Sequence, residues 1–318
     1  MDASIVIPTY NRLALLQRTL QSLCRLTYPR ERFEVIVVDD GSGDGTGKWV
    51  RTQVWPFLLC FIRHETNRFA AAARNSGIRK ATGDVIVFLD DDMEVEPRFL
   101  DEHMKCHHGQ EEVAVVGHMR PAADVTLSGL VRYLSTRGVH KLKPGQTMPF
   151  KYWCSGNASV PRSLLLDAGL FDEAIRQYGG EDLELAFRLH KRGTVRFCYA
   201  PQAVSSHLHY RTVEDVCRLM FTYGQSSLAY MISRHPDLAP HVRAHLLEPL
   251  HPGQEPAGLC LQKLLWRLAM NPVLCSAVKR YASLSRTGKP AWLFDYLIAC
   301  QYLSGLHRQL RDQKRPVD

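Results

Sequence analysis

Three observations predict an α/β fold with a mainly parallel central sheet, flanking helices and a helical C-terminal extension. Short apolar runs alternate with amphipathic segments over the first 120 residues. Two of those runs end in acidic clusters, Asp39-Asp40 and Asp90-Asp91-Asp92, and open α/β sheets place their ligands at strand carboxyl ends. Beyond Thr212 the apolar spacing turns mostly helical.

Taken in order, 4–8, 34–38, 58–62, 85–89 and 113–116 read as strands, and 13–26, 46–53, 70–80 and 97–107 as helices. Apolar runs of this kind suit strands covered on both faces, with the helices as parallel crossovers. The strand ends then share one rim. Around 125–149 the pattern loosens. Gly129, Gly138, Pro144 and Gly145, with the basic His140, Lys141 and Lys143, suggest either a lid over the rim or a plain surface connection. A second block starts near Lys151 with the stretch 153–160, a helix initiated at Pro161 and a helix over 181–191. Helices over 213–233, 259–281 and 292–310 follow, joined by a Pro/Gly-rich segment over 235–258. The expected divisions are 1–120, 121–211 as the second half of the same domain, and 212–318 as the extension. The residues from Arg311 to Pro316 read as a frayed tail.

The chain has 318 residues, 45% of them hydrophobic, enough for one large core or a main domain with a smaller attachment. Its net charge of +8 suits an anionic nucleotide, an anionic lipid surface or nucleic acid. The Lys and Arg residues form no block, so nucleic acid is not expected. Nine scattered cysteines without a CxxC pair read as reduced core residues of a cytoplasmic protein. His107-His108 beside Cys106 fits a solvated helix end better than a metal site. No basic flank and apolar leader precede Ser4, and Asp295 interrupts the apolar run 291–299. Neither a signal peptide nor a membrane span is therefore expected. Peripheral contact with the inner face of the cell membrane stays open.

Three adjacent carboxylates repel and raise one another's pKa, so Asp90, Asp91 and Asp92 require a compensating cation or a function. Their oxygens suit a hard divalent metal, and such a metal suits a phosphate-bearing substrate. Asp39-Asp40-Gly41-Ser42 can accept from base or ribose donors on the same rim, or form an ordinary turn and N-cap. No GxGxxG or GxxxxGK[ST] follows a strand, which argues against a nicotinamide enzyme or a P-loop ATPase. Arg74 follows four alanines that let a helix approach the sheet closely. It either reaches a diphosphate or is simply solvated. Glu181 and Asp182 after Gly179-Gly180 suit a helix N-terminus. The same placement lets a carboxylate take a hydroxyl proton. His207 and His209 read as a metal ligand or as ordinary polar histidines, and Tyr152, Trp153 and Trp292 as stacking or core aromatics.

In this order, Val6-Ile7-Pro8-Thr9-Tyr10-Asn11, Val37-Val38-Asp39-Asp40-Gly41-Ser42, Ala73-Arg74-Asn75, Leu89-Asp90-Asp91-Asp92 and Gly180-Glu181-Asp182 resemble the family 2 glycosyltransferases of the GT-A fold. The resemblance covers about residues 3–235. It implies a nucleotide-diphosphate sugar donor whose base and ribose sit near Pro8, Thr9, Tyr10 and Asp40. Arg74, Asp90 and Asp91 would lie on the donor side, and Asp92 would bind Mg2+ or Mn2+. His207 resembles a further metal-side ligand, with His209 as its competitor. Asp182 matches the general base of a single inverting displacement and Glu181 the residue that orients the acceptor. Trp153, Ser155, Gly156 and Asn157 resemble the wall of the acceptor cavity.

The chain departs from the family pattern at Phe69 and Ala70 to Ala72, where a glycine-rich loop is usual. It also lacks a Gln-x-x-Arg-Trp signature and the membrane helices of processive synthases, so a non-processive, single-transfer enzyme is implied. The helices after Thr212 resemble the additions of bacterial, rhamnosyltransferase-like enzymes that act on rhamnan, O-antigen or lipid-linked acceptors. The acceptor is accordingly a saccharide, a lipid-linked sugar or a small molecule. Lys263, Arg267, Lys279 and Arg280, beside Leu264, Leu265 and Leu268, would face anionic lipid, the catalytic core or a second copy in a homodimer. Two other readings are distinguishable. A sugar nucleotidyltransferase would release pyrophosphate from a nucleoside triphosphate, and a non-catalytic scaffold would bind the donor without turnover.

Overall fold

Uninterrupted apolar runs become the central strands of the sheet. In a computed structural model, which describes residues 1–109, 112–142, 146–283 and 290–313, eight strands form one sheet among the described residues. They are β1 (Ala3–Thr9), β2 (Phe33–Asp39), β3 (Leu58–Arg63), β4 (Val85–Leu89), β5 (Met93–Val95), β6 (Val113–Pro121), β7 (Asn157–Pro161) and β8 (Arg196–His207). Their order is β3-β2-β1-β4-β7-β6-β8-β5. The β3-β2-β1-β4 neighbours and the β6–β8 pair run parallel, while β7 is antiparallel to β4 and β6, and β5 to β8. Lys143, Pro144 and Gly145 of the expected lid, and tail residues 314–316, lie outside the described residues.

The chain forms two units, one of residues 1–125, 135–176 and 181–210, the other of 126–134, 177–180 and 211–318. Helices α1 (Leu13–Leu23), α2 (Thr46–Thr52), α3 (Phe69–Lys80) and α4 (Phe99–Lys105) belong to the first unit, as do α6 (Arg162–Asp167) and α7 (Glu181–Lys191). Helix α5 (Gly129–Leu134) belongs to the second.

In the first unit the two-residue period of the strands divides the core. Ile5, Ile7, Val35, Val37, Val87 and Leu89 join Leu16, Leu20 and Leu23 of α1 in one buried cluster. Val6 points the other way, towards α3. There a β-carbon on Gly77 would fall 2.4 Å from Val6 Cγ1, so this helix approaches the sheet as closely as the small-residue run predicts. Thr9 is level with Asp39, and Val6 with Phe88. This register brings the segments after β1, β2 and β4 out on one rim.

Strands β5, β7 and β8 are additions to the sequence reading, and β6 runs five residues past its expected end. Pairing of β6 with β8 resumes after an irregularity at Gly117/His118.

The second unit consists of α5, α8 (Val213–Tyr223), a π-helical turn (Gly224–Leu228), α9 (Ala229–Arg234), α10 (Ala257–Ala269), α11 (Pro272–Ser283) and α12 (Ala291–Asp312), with short 3-10 turns between them. The single helix expected over 259–281 is two helices. Pro272 has no N–H to continue the helical ladder, and Asn271 Oδ1 accepts from Val273 N at 2.9 Å to start the next one. Residues 126–134, part of the expected lid, include α5, whose Leu130 and Tyr133 pack on Leu293, Phe294 and Leu297 of α12.

Lys263, read as facing lipid, the catalytic core or a second copy, is fully buried within the helical unit itself, with Nζ 2.6 Å from Glu255 Oε1. Among the described residues no helix is long and apolar enough to cross a membrane. The nine cysteines form no disulfide.

Candidate active site

The rim formed by β1, β2 and β4 opens onto a cavity of about 290 Å3, near the lower end of the range for small-molecule sites. All seven residues expected on the donor side line it: Pro8, Thr9, Tyr10, Asp40, Arg74, Asp90 and Asp91. Arg12, Asn67 and Phe69 join them.

Side-chain caps tie the loops of this rim together. Asn11, in the left-handed region at φ 51°, donates its N–H to Ser42 Oγ at 2.8 Å, and Asp44 Oδ2 accepts from Leu13 N at 2.9 Å. Asp40 accepts from the backbone N–H groups of Arg68 at 2.9 Å and Phe69 at 2.7 Å. It therefore holds the start of α3 against the cavity. His64 Nδ1 lies 2.6 Å from the same carboxylate, and its Nε2 lies 2.9 Å from Ser76 Oγ. This anchoring of α3 is invisible in the Asp-Asp-Gly-Ser motif itself.

The acidic cluster splits three ways. Asp90 Oδ1 accepts from Arg74 Nη2 at 3.0 Å. Asp91 accepts from Thr9 Oγ1 and from Arg12 Nη1, each at 2.7 Å. Asp92 Oδ2 accepts from Arg12 Nη2 at 2.9 Å and lies 3.3 Å from His207 Nε2. Burial pushes the Asp91 carboxyl up to about 7 against the opposing pull of Arg12. Burial also acts on Asp92, but His207 and Arg12 together bring it below the ordinary carboxylate value. The compensating cation that the cluster demanded is thus present in part as Arg12. Nothing in the sequence marks this residue, because an arginine just before a helix has no distinctive pattern.

Replacing Arg12 by Gln leaves Asp91 and Asp92 without that cation, and a stability loss of roughly 1–3 kcal/mol at pH 8 is expected. Asp91 is ionised above about 7 and neutral below it. The loss should therefore shrink at pH 5, which urea unfolding at the two pH values checks.

The other wall is organised by Arg74, which is 5% exposed. Its Nη1 donates to Glu181 Oε1 at 2.9 Å, and its guanidinium stands 5.6 Å from the centre of the Phe171 ring. Asp182 begins the same helix as Glu181. Its Oδ2 accepts from Ser155 N at 3.1 Å, while its buried Oδ1 has no hydrogen-bond partner. Burial and the adjacent Glu181 charge push the Asp182 carboxyl up to about 6, against Arg74 and Ser155.

Two residues expected on the acceptor side are buried. Trp153 is 2% exposed and packs edge-on against Phe88. Asn157 is fully buried, and its amide is used by His103 Nε2 at 2.8 Å, Ala203 O at 3.0 Å and Ser205 Oγ at 2.9 Å. Asn157 is core because it begins β7, which lies inside the sheet between β4 and β6, and Trp153, four residues earlier, is covered where it packs on Phe88 of β4. Of the two histidines, His207 Nε2 lies 3.3 Å from Asp92 Oδ2 and His209 is exposed. His107, expected on a solvated helix end, is half-buried and lies 2.7 Å from Ser159 Oγ.

The fit of a divalent ion can be tested on Asp92. Its Oδ1 is buried with no hydrogen-bond partner, and its Oδ2 neighbours an imidazole nitrogen. Among the described residues no group of three His, Cys, Asp or Glu side chains could hold a metal unaided. One carboxylate and one imidazole would leave the rest of a bound ion's shell to substrate phosphates and water.

Residues 4–159 match the family described as Glycosyl transferase family 2. The chain is 30% identical to "Uncharacterized glycosyltransferase YfnE" of Bacillus subtilis (strain 168), with 74% of this chain and 71% of that protein covered. The chain belongs to glycosyl transferase family 2. This family 2 glycosyltransferase is also 31% identical to "Validoxylamine A glucosyltransferase" of Streptomyces hygroscopicus subsp. jinggangensis (strain 5008), with 75% of this chain covered but only 62% of that protein.

Two solved structures share the fold of the glycosyltransferase at low identity. Mannosyltransferase PcManGT from Pyrobaculum calidifontis, in complex with GDP-Man and Mn2+, aligns with a TM-score of 0.62 at 21% identity, covering 98% of this chain and 88% of that one. S. aureus TarS 1-349 aligns with a TM-score of 0.56 at 19% identity, covering 99% and 92%. The architecture is that of the GT-A glycosyltransferases, with a C-terminal helical region.

Proposed function

We propose that this glycosyltransferase moves a sugar from a nucleotide-diphosphate donor to a hydroxyl acceptor in one inverting displacement. One observation carries the reading. The seven donor-side residues line a single cavity, and Arg74 in its wall ties Asp90 to Glu181, the neighbour of Asp182. Solved relatives of this fold hold UDP-GlcNAc or GDP-Man, which supports the assignment of that cavity to the donor.

In this account the base and ribose lie along Pro8, Thr9 and Tyr10 beside Asp40. Asp92 and His207 would hold Mg2+ or Mn2+, which offsets the charge of the departing diphosphate when bound. Arg74 spends its guanidinium on Asp90 and Glu181. Its work is to fix those two carboxylates and to favour ionisation of Asp182, rather than to clamp phosphate as a free cation. Asp182, ionised above about 6, accepts the proton of the attacking hydroxyl. Glu181, held by Arg74, orients that hydroxyl. The acceptor is a saccharide, a lipid-linked sugar or a small molecule, glycosylated once per encounter.

Calorimetric titration of UDP, GDP and dTDP, each with Mn2+, tests the donor site. One nucleotide should bind, and Asp92→Asn or EDTA should weaken it about 10–100-fold. Absence of binding by all three would remove the basis for the donor cavity.

A further inference from the structure

Helix α10 carries its polar and apolar groups the wrong way round for a helix packed on its own protein. Lys263 is fully buried, with Nζ 2.6 Å from Glu255 Oε1 and 3.2 Å from Pro249 O. Arg267 Nη2 donates to Glu248 O at 3.0 Å. The cationic side of the helix thus holds the 248–255 segment, whereas Leu261, Leu264, Leu265 and Leu268 are 56%, 46%, 54% and 63% exposed. At about 100° per residue these four leucines fall within an arc of roughly 100°, the width of an ordinary core-facing stripe. Helix α11 follows after two residues and adds Val273 and Leu274, 77% and 46% exposed. Single exposed leucines are common, but a continuous stripe marks an interaction surface.

Charge selects the partner. Residues 257–283 contain no Asp or Glu, and of their four cations Lys263 and Arg267 are turned to the 248–255 segment while Lys279 and Arg280 lie on α11. The whole of 211–318 has 14 Lys and Arg against 8 Asp and Glu, a surplus of 6 out of the chain's +8. We propose that the α10–α11 surface docks on an anionic lipid bilayer. The leucines enter the boundary between headgroups and acyl chains, while the exposed Arg280 of α11, about 20° around that helix from Val273, meets anionic headgroups. The helix lies on the membrane and does not span it, in keeping with its 13 residues. A two-fold contact with a second copy would set this acid-free cationic segment against itself. The proposal rests on the C-terminal unit alone and does not depend on the donor or acceptor assignments.

The experiment is sedimentation of the full chain with vesicles of phosphatidylcholine alone or mixed with phosphatidylglycerol. The expected result is about tenfold stronger association with the anionic vesicles, weakened by salt. Leu264→Gln combined with Leu268→Gln should reduce that association by about tenfold. Both positions face solvent, and an unchanged circular dichroism spectrum and unfolding temperature confirm that the variant is folded. Equal binding to both vesicle types would overturn the proposal, as would full binding by the folded double variant. A concentration-dependent dimer in the absence of lipid, abolished by the same two substitutions, would also overturn it and assign the stripe to a second copy.

Discussion

Asp182→Asn is expected to lower sugar transfer about 10²–10⁴-fold, the span typical of a lost general base, while nucleotide binding persists. The amide preserves the shape of the side chain and an oxygen to accept from Ser155 N but cannot take a proton at neutral pH. The wild-type pH profile should show the matching signature, with kcat/KM falling as pH drops below about 6, because Asp182 is then protonated. The sign for stability is opposite. The folded-state pKa of Asp182 is raised, so the stabilising contribution of its neutral form is present below the ordinary carboxylate range and lost as pH rises through about 6. The variant should therefore be more stable than wild type at pH 8, and this gain should vanish in acid. A transfer rate near wild type would refute the assignment of the base.

Arg74→Ala should have the largest effect on stability, a loss of about 3–5 kcal/mol at pH 8. The guanidinium is buried between Asp90 and Glu181, and the Asp182 charge acts on it as well. Its removal leaves several carboxylates at one site with no cation among them. Protonation relieves their repulsion, so the loss should be smaller at pH 5 than at pH 8, and urea unfolding at both values measures it. Whatever transfer remains should show an acid limb above pH 6, because Asp182 loses a partner that lowers its pKa. Arg74→Lys keeps the charge but has no planar fork to bridge the two carboxylates, so it should fall between alanine and wild type.

The parts of the fold that were legible are those in which one physical requirement dominates. β1, β2 and β4 are apolar because both of their faces are buried, and α7 begins at Glu181 because two acidic residues follow a glycine pair. β5 has only three residues, too few for a period to show. β8 contains Pro201 and a mixed burial pattern, so its pairing with β6 and β5 depends on residues far away in sequence. Asp40, Asp90 and Asp91, which line the cavity, could be singled out because acidic clusters at strand ends demand compensation. Arg12 could not, since its role exists only when α1 brings it back to Asp91 and Asp92. The burial of Trp153 and Asn157 was not legible for the complementary reason. Polar and aromatic residues near a motif suggest a cavity wall, but insertion of β7 between β4 and β6 buries Asn157, and Trp153 packs on Phe88 of β4.

The most direct test is release of nucleoside diphosphate from a panel of UDP-, GDP- and dTDP-sugars in the presence of a mixed acceptor pool, with Mn2+ or Mg2+ and with EDTA. The account predicts release from one donor class, dependent on the divalent ion and nearly abolished by Asp182→Asn. Release that is indifferent to Asp182, or no release from any donor that calorimetry shows to bind, would contradict it.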